Sequence, residues 1–181
     1  MRRGIVLCIA GMPGCGKEEI LKMASQAGFA VIRMGDVVRE EASRRGISST
    51  DEGIGRMAHR ERKIHGPGIW AKRTLERISE ERMVIDGIRS FDEIAVFRKS
   101  FDDQVLIVAI HASPETRYRR ISSRRRRDDI LNEEELQVRD RRELKWGLGE
   151  VIALAEYILV NEGSLEEFRE KAKELLQEIF G

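Results

Sequence analysis

A glycine-rich turn followed by a lysine is the part of this sequence best equipped for chemistry. Residues 11–18 read Gly-Met-Pro-Gly-Cys-Gly-Lys-Glu, directly after a short apolar run. Gly11, Gly14 and Gly16 permit backbone angles that are closed to residues with a β-carbon, so successive N–H groups can face one anion. A helix beginning near Lys17 would add its positive dipole end, and the lysine a full charge. This P-loop pattern predicts binding of a nucleoside triphosphate or a similar polyphosphate.

Two carboxylates stand where most P-loops carry a hydroxyl group. Ser or Thr after the lysine usually holds Mg²⁺, whereas this chain has Glu18 and Glu19. Acidic residues in a first helical turn stabilise the helix dipole, and Glu18 could instead hold Mg²⁺ directly or through water. Asp86 ends another apolar run and could orient Mg²⁺-bound water, although Asp-Gly is also a common turn. The candidate metal ligands are Asp86 and Glu18.

Five short apolar runs, separated by helical patterns, predict the sheet that positions these residues. Each run is β-rich and nearly continuous, as in strands that are covered on both faces. Capping boxes of the Ser-x-x-Glu type begin helical patterns at Ser90 and Ser164. This alternation predicts an α/β three-layer sandwich around a five-stranded parallel sheet. The runs are residues 5–10, 30–34, 83–86, 105–111 and 157–160.

Two longer stretches interrupt the alternation. One holds mostly polar helices broken by Gly46 and by His65-Gly-Pro-Gly68, and the other is rich in arginine. In an open α/β sheet such insertions lie over the carboxyl ends of the strands, where ligands bind. We therefore predict a single domain over residues 1–181, with a core at 1–34, 81–116 and 147–181, an acceptor-binding insertion at 35–80 and a lid region at 117–146.

Composition narrows the classes of function. A length of 181 residues suits one domain with a sizeable core. No apolar run approaches the roughly 18 to 20 residues that span a membrane, so we expect no membrane partner. The net charge of +1 does not favour a general grip on nucleic acid, and the arginine-rich stretch has few aromatic residues for stacking. Two cysteines that are not expected to pair fit a reducing cytoplasm.

Several segments resemble the adenylate kinases and related nucleoside monophosphate kinases. The glycine-rich loop resembles their Gly-x-Pro-Gly-x-Gly-Lys, Gly35-Asp-Val-Val-Arg39 their Gly-Asp-x-x-Arg, and Asp86-Gly-Ile-Arg89 their Asp-Gly-Phe-Pro-Arg. Arg120-Ile-Ser-Ser-Arg124 resembles the approach to their lid, and Asn161-Glu-Gly-Ser164 is similar to a turn in dephospho-CoA kinases. Over nearly its full length the chain looks most like archaeal proteins related to adenylate kinase.

The resemblance implies a nucleoside monophosphate kinase-like fold and transfer of the γ-phosphoryl group of ATP, assisted by Mg²⁺. The first expectation for the acceptor is a nucleoside monophosphate, and dephospho-CoA is the alternative. The carboxylates after Lys17 also leave open a nucleotide-dependent switch or assembly ATPase without an acceptor. A nucleic-acid-processing ATPase is a weaker option. The oligomeric state stays open.

The resemblance also assigns roles to individual residues. Arg39 and Arg89 would clamp the acceptor phosphate, because a guanidinium group matches two phosphate oxygens. Lid arginines would bring positive charge to the transferring phosphoryl group. The predicted catalytic residues are Lys17, Asp86, Arg120 and Arg124; the nucleotide-binding residues are Gly11, Met12, Pro13, Gly14, Cys15, Gly16, Lys17, Glu18 and Asn161; and the substrate-binding residues are Gly35, Asp36, Arg39, Arg89, Arg139 and Arg142.

Overall fold

In the computed structural model, which describes residues 5–78, 82–124 and 132–180, five strands form one parallel sheet. These strands are β1 (Val6–Ala10), β2 (Ala30–Arg33), β3 (Met83–Asp86), β4 (Val105–His111) and β5 (Tyr157–Val160). Their order across the sheet is β2-β3-β1-β4-β5, so β1 lies at the centre. The predicted parallel sheet is confirmed, and each strand matches its predicted apolar run to within one residue at either end.

Helices cover both faces of the sheet. In the described part of the chain they are α1 (Lys17–Gln26), α2 (Met34–Arg44), α3 (Asp51–His65), α4 (Ile69–Leu75), α5 (Phe91–Phe101), α6 (Pro114–Arg124), α7 (Glu133–Trp146), α8 (Leu148–Ala153) and α9 (Leu165–Phe180), with a 3-10 turn at Asp102–Gln104. Among the described residues, no helix combines the length and the apolar character that a membrane crossing needs.

The alternating side chains of β1 divide the core into two layers. Val6, Cys8 and Ala10 pack in the layer that α5 and α8 cover, and Leu7 and Ile9 pack in the layer beneath α1 and α9. All five residues are buried. A strand that is apolar on both faces is expected when helices cover both sides of a parallel sheet, and this explains why the run has no polar alternation.

Two capping boxes fix the starts of α5 and α9. At α9 the box is reciprocal, because the Glu167 N–H donates to Ser164 Oγ at 3.2 Å and the Ser164 N–H donates to Glu167 Oε2 at 2.9 Å. At α5 the Glu93 N–H donates to Ser90 Oγ at 3.3 Å, but the Glu93 carboxylate accepts instead from the Arg89 N–H at 2.6 Å. The second half of that predicted box is therefore directed toward the loop after β3.

Helices α2, α3 and α4 form a unit around two buried side chains. Trp70 is fully buried, and its Nε1 donates to the Ala58 carbonyl at 3.2 Å. Glu61 on α3 accepts from Arg45 at 2.8 Å and from Arg73 at 2.6 Å, so it joins the end of α2 to α4. These bonds lower the pKa of the Glu61 carboxyl to about 2, with Arg45 the largest cause.

A buried ion pair joins this helical unit to the core. Arg62 on α3 donates to the Glu93 carboxylate on α5 at 2.9 Å, and the Glu93 side chain has no exposed surface. Burial raises the pKa of Glu93, although Arg62 and the Arg89 N–H act in the opposite direction. Because Arg62 belongs to the helical unit and Glu93 to a helix of the core, the pair fixes the position of α3 relative to the core.

Candidate functional site

The turn between β1 and α1 adopts the backbone conformation that its glycines predict. Gly14 and Gly16 have φ values of +81° and +98°, in the left-handed region that favours glycine. Gly16 is the N-cap residue of α1, and this N-cap makes no side-chain hydrogen bond to the first-turn amides. Lys17 Nζ lies across the turn and donates to the Gly11 carbonyl at 3.1 Å. A cation and the amino end of a helix therefore lie side by side.

Asn161 braces this turn from the end of β5. Its Nδ2 donates to the Cys15 carbonyl at 2.9 Å, and its Oδ1 accepts from Arg120 Nη2 at 3.1 Å. Asn161 is buried, and a β-carbon at Gly16 would clash with its amide. Arg120 Nη1 is buried without a hydrogen-bond partner among the described residues. Asn161 thus supports the turn, with the Arg120 guanidinium held beside it.

Arg117, at the start of the predicted lid region, is bound internally. Its guanidinium donates to the carbonyls of Pro13 at 3.1 Å and Ala112 at 3.2 Å, and it pairs with the Asp140 carboxylate at 2.5 to 2.9 Å. The side chain is buried. Arg117 therefore ties α6 to the glycine-rich turn and to α7.

A cavity of about 220 Å³ opens in front of the turn. Its wall includes the glycine-rich turn, the first turn of α1 and the carboxyl ends of β2 and β3. This is the position where ligands bind in open parallel α/β sheets. The charged residues that line it are Lys17, Glu18, Arg33, Arg39, Asp86, Arg89 and Arg139.

Arg33 joins the two predicted metal ligands. Its guanidinium donates to both oxygens of Glu18 at 2.8 Å, and Nη1 lies 3.6 Å from Asp86 Oδ2. The hydrogen bonds to Glu18 are the largest cause that raises the pKa of Arg33. Asp86 Oδ1 is buried without a hydrogen-bond partner among the described residues. We refer to these three side chains as the Glu18–Arg33–Asp86 cluster.

The donor set around this cluster suits Mg²⁺ better than a metal that needs several protein ligands. Among the described residues, no three or more His, Cys, Asp or Glu side chains gather into a metal-binding group. Mg²⁺ is commonly held by one or two carboxylates together with substrate phosphates and water. Asp86 Oδ1, which has no hydrogen-bond partner among the described residues, could be one such ligand. The carboxylate of Glu18 lies on the other side of Arg33 and could be a second.

A second cavity, of about 120 Å³, lies between α2, α3, α7 and the loop after β3. It shares a wall with the first cavity, and three of the shared residues are arginines. Burial acts to lower the pKa of Arg89, but the carboxylates of Glu143, Asp86 and Glu93 outweigh it, so the net shift is upward. The shared residues are Gly35, Arg39, Gly87, Arg89 and Arg139.

One buried and one partly exposed acid hold the arginines of the second cavity in place. Glu143 is buried and forms an ion pair with Arg89, while Arg139 and Arg142 lie 3.9 and 3.8 Å from its Oε1. Asp51, the first residue of α3, pairs with Arg139 at 3.3 Å and with Arg142 at 2.8 Å. These contacts fasten α7 to α3 across the cavity.

An aromatic ring forms another part of this wall. The Arg62 guanidinium lies 4.4 Å from the centre of the Trp146 ring, and Trp146 Nε1 donates to His59 Nδ1 at 3.1 Å. Arg62 is mostly buried, and its Nε and Nη1 have no hydrogen-bond partner among the described residues. The second cavity therefore offers cationic donors beside an indole ring.

The structure brings most of the predicted site residues to the two cavities. Arg142 lines the second cavity and Arg139 lines both. The predicted residues that line the first cavity are Pro13, Gly14, Gly16, Lys17, Glu18, Gly35, Arg39, Asp86, Arg89 and Arg139.

Of the other predicted residues, Gly11, Arg120 and Asn161 lie at the glycine-rich turn without lining either cavity, and the rest occupy other positions. The Cys15 side chain is fully buried in the core, and Met12 packs against the other core layer. Asp36 is half exposed and pairs with Arg39 at 2.5 Å, so it contacts a cavity residue without lining the cavity itself. The side chain of Arg124, and residues 125–131 that follow it, lie outside the described part of the chain.

Sequence reasoning missed several residues of the site. Arg33 carried a usable signal, because it is a lone charge at the carboxyl end of an otherwise apolar strand, as Asp86 is. Asp51, Arg62, Glu143 and Trp146 carried none. Their partners are far away in the sequence, and a charged residue on a helix usually faces solvent.

Comparison of the sequence with known families shows which proteins this chain is related to. The pattern of the AAA domain matches residues 10–137. The UPF0200 protein TV0279 of Thermoplasma volcanium is 49% identical over 176 residues, which cover 97% of this chain and 98% of the relative. A UPF0200 protein of Hyperthermus butylicus is 48% identical over 180 residues, or 98% of this chain and 96% of the relative.

Solved structures share the fold at low sequence identity. TT1252 from Thermus thermophilus has a TM-score of 0.66 at 19% identity and covers 99% of this chain and 100% of its own. A shikimate kinase from Acinetobacter baumannii has a TM-score of 0.63 at 16% identity, and the match covers 97% of this chain and 93% of the kinase. A gluconokinase from Sinorhizobium meliloti has a TM-score of 0.61 at 17% identity, and the match covers 99% of this chain and 98% of the gluconokinase. The chain has an α/β P-loop NTPase fold, which it shares with these structures, and the predicted resemblance to adenylate kinases in particular is not confirmed. By sequence, the chain belongs to the AAA domain family and to the UPF0200 proteins of archaea.

Proposed function

We propose that this protein transfers the γ-phosphoryl group of ATP, assisted by Mg²⁺, to a small phosphorylated acceptor, and that the acceptor is a nucleoside monophosphate. The observation that carries the proposal is the wall shared by the two cavities. Arg39, Arg89 and Arg139 border both the cavity at the glycine-rich turn and the cavity between α2, α3 and α7. Phosphoryl transfer depends on bringing two phosphates together within a frame of positive charge.

The donor half of the reaction belongs to the glycine-rich turn. Backbone amides of the turn and the amino end of α1 would hold the terminal phosphates of ATP, and Lys17 would neutralise their charge. Arg120 is held beside Gly16 by Asn161, with Nη1 unpaired among the described residues. Such a donor could stabilise charge on the transferring phosphoryl group. We keep Arg124 as a second candidate for this role, on the resemblance of its segment to a kinase lid.

Asp86 and Glu18 are the side chains that would hold Mg²⁺. Bound there, the ion would supply positive charge that offsets the negative charge of the phosphate oxygens and so reduces their repulsion of the incoming nucleophile. The buried Oδ1 of Asp86 has no other partner among the described residues, which supports its part in this role. Glu18 is bound to Arg33, so its contribution requires that contact to change.

The acceptor half is the second cavity. Arg39, Arg89 and Arg139 would bind the acceptor phosphate, and Asp36, Asp51 and Glu143 would position these guanidinium groups. Gly35 leaves the Arg39 guanidinium room to approach, since a β-carbon there would lie 3.3 Å from Nη1. Arg142 would contact the rest of the acceptor. Arginine suits this task because its planar fork matches phosphate oxygens.

The choice of acceptor rests on which segments form the wall. Gly35 and Arg39 on one side, and Gly87 and Arg89 on the other, belong to the segments that resemble nucleoside monophosphate kinases. The turn at Asn161, which suggested dephospho-CoA, contacts the glycine-rich turn and not the second cavity. The solved shikimate kinase and gluconokinase are named for acceptors that are not nucleotides, and the shared fold alone does not choose among acceptors.

The second cavity also favours a kinase over a nucleotide-dependent switch. A switch or assembly ATPase needs no arginine-lined acceptor site, whereas this chain joins one directly to the turn. We place the reaction in the cytoplasm, which is consistent with the free thiols of Cys8 and Cys15.

An acceptor panel tests the proposed function. The protein is incubated with ATP and Mg²⁺ and, one at a time, with nucleoside monophosphates, dephospho-CoA, shikimate and gluconate, and ADP release and the phosphorylated product are quantified. For each ATP consumed, a nucleoside monophosphate should give one ADP from ATP and one molecule of its own diphosphate, so that AMP gives two ADP. Slow ADP release that no acceptor changes would instead identify a switch or an ATPase. The Arg89→Ala variant should raise the KM for the acceptor more than the KM for ATP.

A further inference from the structure

Arg33 occupies a position that the reaction described above does not explain. It is a cation placed between the two carboxylates that would hold the metal, with 2.8 Å to each Glu18 oxygen and 3.6 Å to Asp86 Oδ2. An arginine that served only as a phosphate ligand would be expected to present its donors to the cavity. This guanidinium instead directs both Nη atoms at Glu18.

The sheet itself sets this arrangement. Arg33 and Asp86 are register partners on the adjacent parallel strands β2 and β3. Each follows by two residues a side chain of the α1-covered layer, Val31 on β2 and Val84 on β3. Because side chains alternate along a strand, Arg33 and Asp86 both project toward α1, where Glu18 lies in the first turn. The cluster is therefore built from regular elements.

A divalent cation at this place must compete with Arg33. The ion would need the Glu18 oxygens that the guanidinium group occupies, and at Asp86 Oδ1 it would lie beside the guanidinium near Oδ2, where their like charges repel. The cavity as a whole is positive, with Lys17, Arg33, Arg39, Arg89 and Arg139 against Glu18 and Asp86. A free divalent cation meets an unfavourable field there, whereas a cation that arrives with a polyphosphate does not.

We propose that Arg33 is a resident counter-cation of the metal site, which competes with divalent metal for Glu18 and Asp86 and so makes metal binding depend on bound nucleotide. The proposal rests on the metal site of the proposed function. It assigns Arg33 as a positioning residue: the guanidinium holds the two carboxylates in place, and it yields Glu18 when a phosphate-bound cation enters. Coupling of this kind is reciprocal, so the metal would strengthen nucleotide binding by the same factor.

The test measures Mn²⁺ binding by electron paramagnetic resonance, with and without a non-hydrolysable ATP analogue. Without nucleotide, the Arg33→Gln variant should bind Mn²⁺ at least about fivefold more tightly than the wild type. Adding Glu18→Gln or Asp86→Asn to that variant should remove the gain. The matched control is Arg98→Gln, which breaks an exposed pair with Glu156 at 3.0 Å elsewhere on the surface and should leave Mn²⁺ affinity unchanged.

A second variant guards against loss of structure. Arg33→Met removes the charge while keeping an unbranched stem, and the Arg33 side chain is about one-third exposed, so one of the two variants should fold. Circular dichroism and thermal melting establish which. Mn²⁺ binding to the folded variant that equals or falls below that of Arg98→Gln would overturn the proposal.

The same titrations separate this inference from the proposed function. If the ATP analogue binds the wild type but the Arg33 variants show no gain in Mn²⁺ affinity, the inference about Arg33 is wrong and nucleotide binding stands. If the variants gain Mn²⁺ affinity while the wild type binds no ATP analogue, competition between Arg33 and the metal is supported, but its coupling to nucleotide and the kinase proposal are both wrong.

Discussion

At the scale of single residues, Gly16 carries two separate constraints. Its φ of +98° is costly for any residue with a β-carbon, and a β-carbon there would also clash with the Asn161 amide. Gly46 has a φ of +65°, but a β-carbon at that position would meet no atom within 4 Å. The two positions therefore separate the cost of backbone strain from the cost of disturbing the turn.

We expect Gly16→Ala to weaken ATP binding by roughly tenfold or more, because displacing Asn161 would misplace the amides of the turn. Gly46→Ala should lose only about 1 to 2 kcal/mol of unfolding free energy, the usual penalty of the left-handed region. Titration calorimetry and urea unfolding measure the two effects. Equal nucleotide affinity in both variants would show that the contact with Asn161 does not support the site.

The residues of the site were predictable only where local pattern carries the chemistry. The spacing of Lys17 and the glycines identifies them as candidate site residues. Asp86 is identified by its position at the end of an apolar strand. Arg33 had the same signal as Asp86, but no role was expected of it. Glu143 and Asp51 could not be found in this way, because each acts on arginines brought near by the fold.

At the scale of elements, the helical unit formed by α2, α3 and α4 is held by buried charges. Arg62 and Glu93 join it to α5 at 2.9 Å, and Glu61 joins its own helices through Arg45 and Arg73. Breaking one partner of a buried ion pair leaves an uncompensated charge, which costs more than the pair itself contributes. These contacts therefore determine whether the second cavity keeps its shape.

Glu93→Ala should destabilise the protein by about 3 to 5 kcal/mol, because it leaves the mostly buried Arg62 guanidinium without its counter-charge. Glu40→Ala is the matched control, since Glu40 pairs with Arg77 at 2.5 Å on the surface with 60% of its side chain exposed. Removing a surface pair of this kind typically costs up to about 1 kcal/mol. Chemical unfolding at neutral pH compares the two. Similar losses in both variants would contradict the assigned role of the buried pair.

The lowered pKa of Glu61 predicts a pH dependence. Its pKa falls from 4.5 to about 2 on folding, so its contribution to stability is present above pH 4.5 and is lost as the pH falls toward 2. The difference in unfolding free energy between wild type and Glu61→Gln should therefore shrink across that window. Urea unfolding between pH 6 and pH 3 measures it. A difference that stays constant with pH would mean that the arginines do not hold the ionised form.

The elements themselves were largely predictable, for reasons of periodicity and capping. Continuous apolar runs identified the strands, and the reciprocal box of Ser164 and Glu167 marked the start of α9. The α5 box was only half right, because burial and Arg62 draw the Glu93 carboxylate away from the Ser90 N–H. The Ser-x-x-Glu pattern cannot predict that Arg62 competes for the Glu93 carboxylate, since Arg62 lies on another helix.

At the scale of the whole molecule, the sheet order places the chemistry. With β1 between β3 and β4, the glycine-rich turn and Asp86 meet at one edge, and β2 adds Arg33 beside them. The sequence predicted the parallel sheet and a ligand site at its carboxyl edge. It could not predict that α7 would lie against α3 and complete a second cavity, because that contact depends on ion pairs between residues 91 positions apart, Asp51 and Arg142.

The proposed reaction requires that the glycine-rich turn and Lys17 bind the polyphosphate of ATP. Titration calorimetry of ATP with Mg²⁺, on the wild type and on Lys17→Ala, tests it most directly. We predict saturable one-to-one binding by the wild type and affinity weakened roughly tenfold to a hundredfold in the variant, the loss expected for a charge-assisted hydrogen bond. A folded wild-type protein that shows no binding, or a variant that binds equally well, would contradict the account.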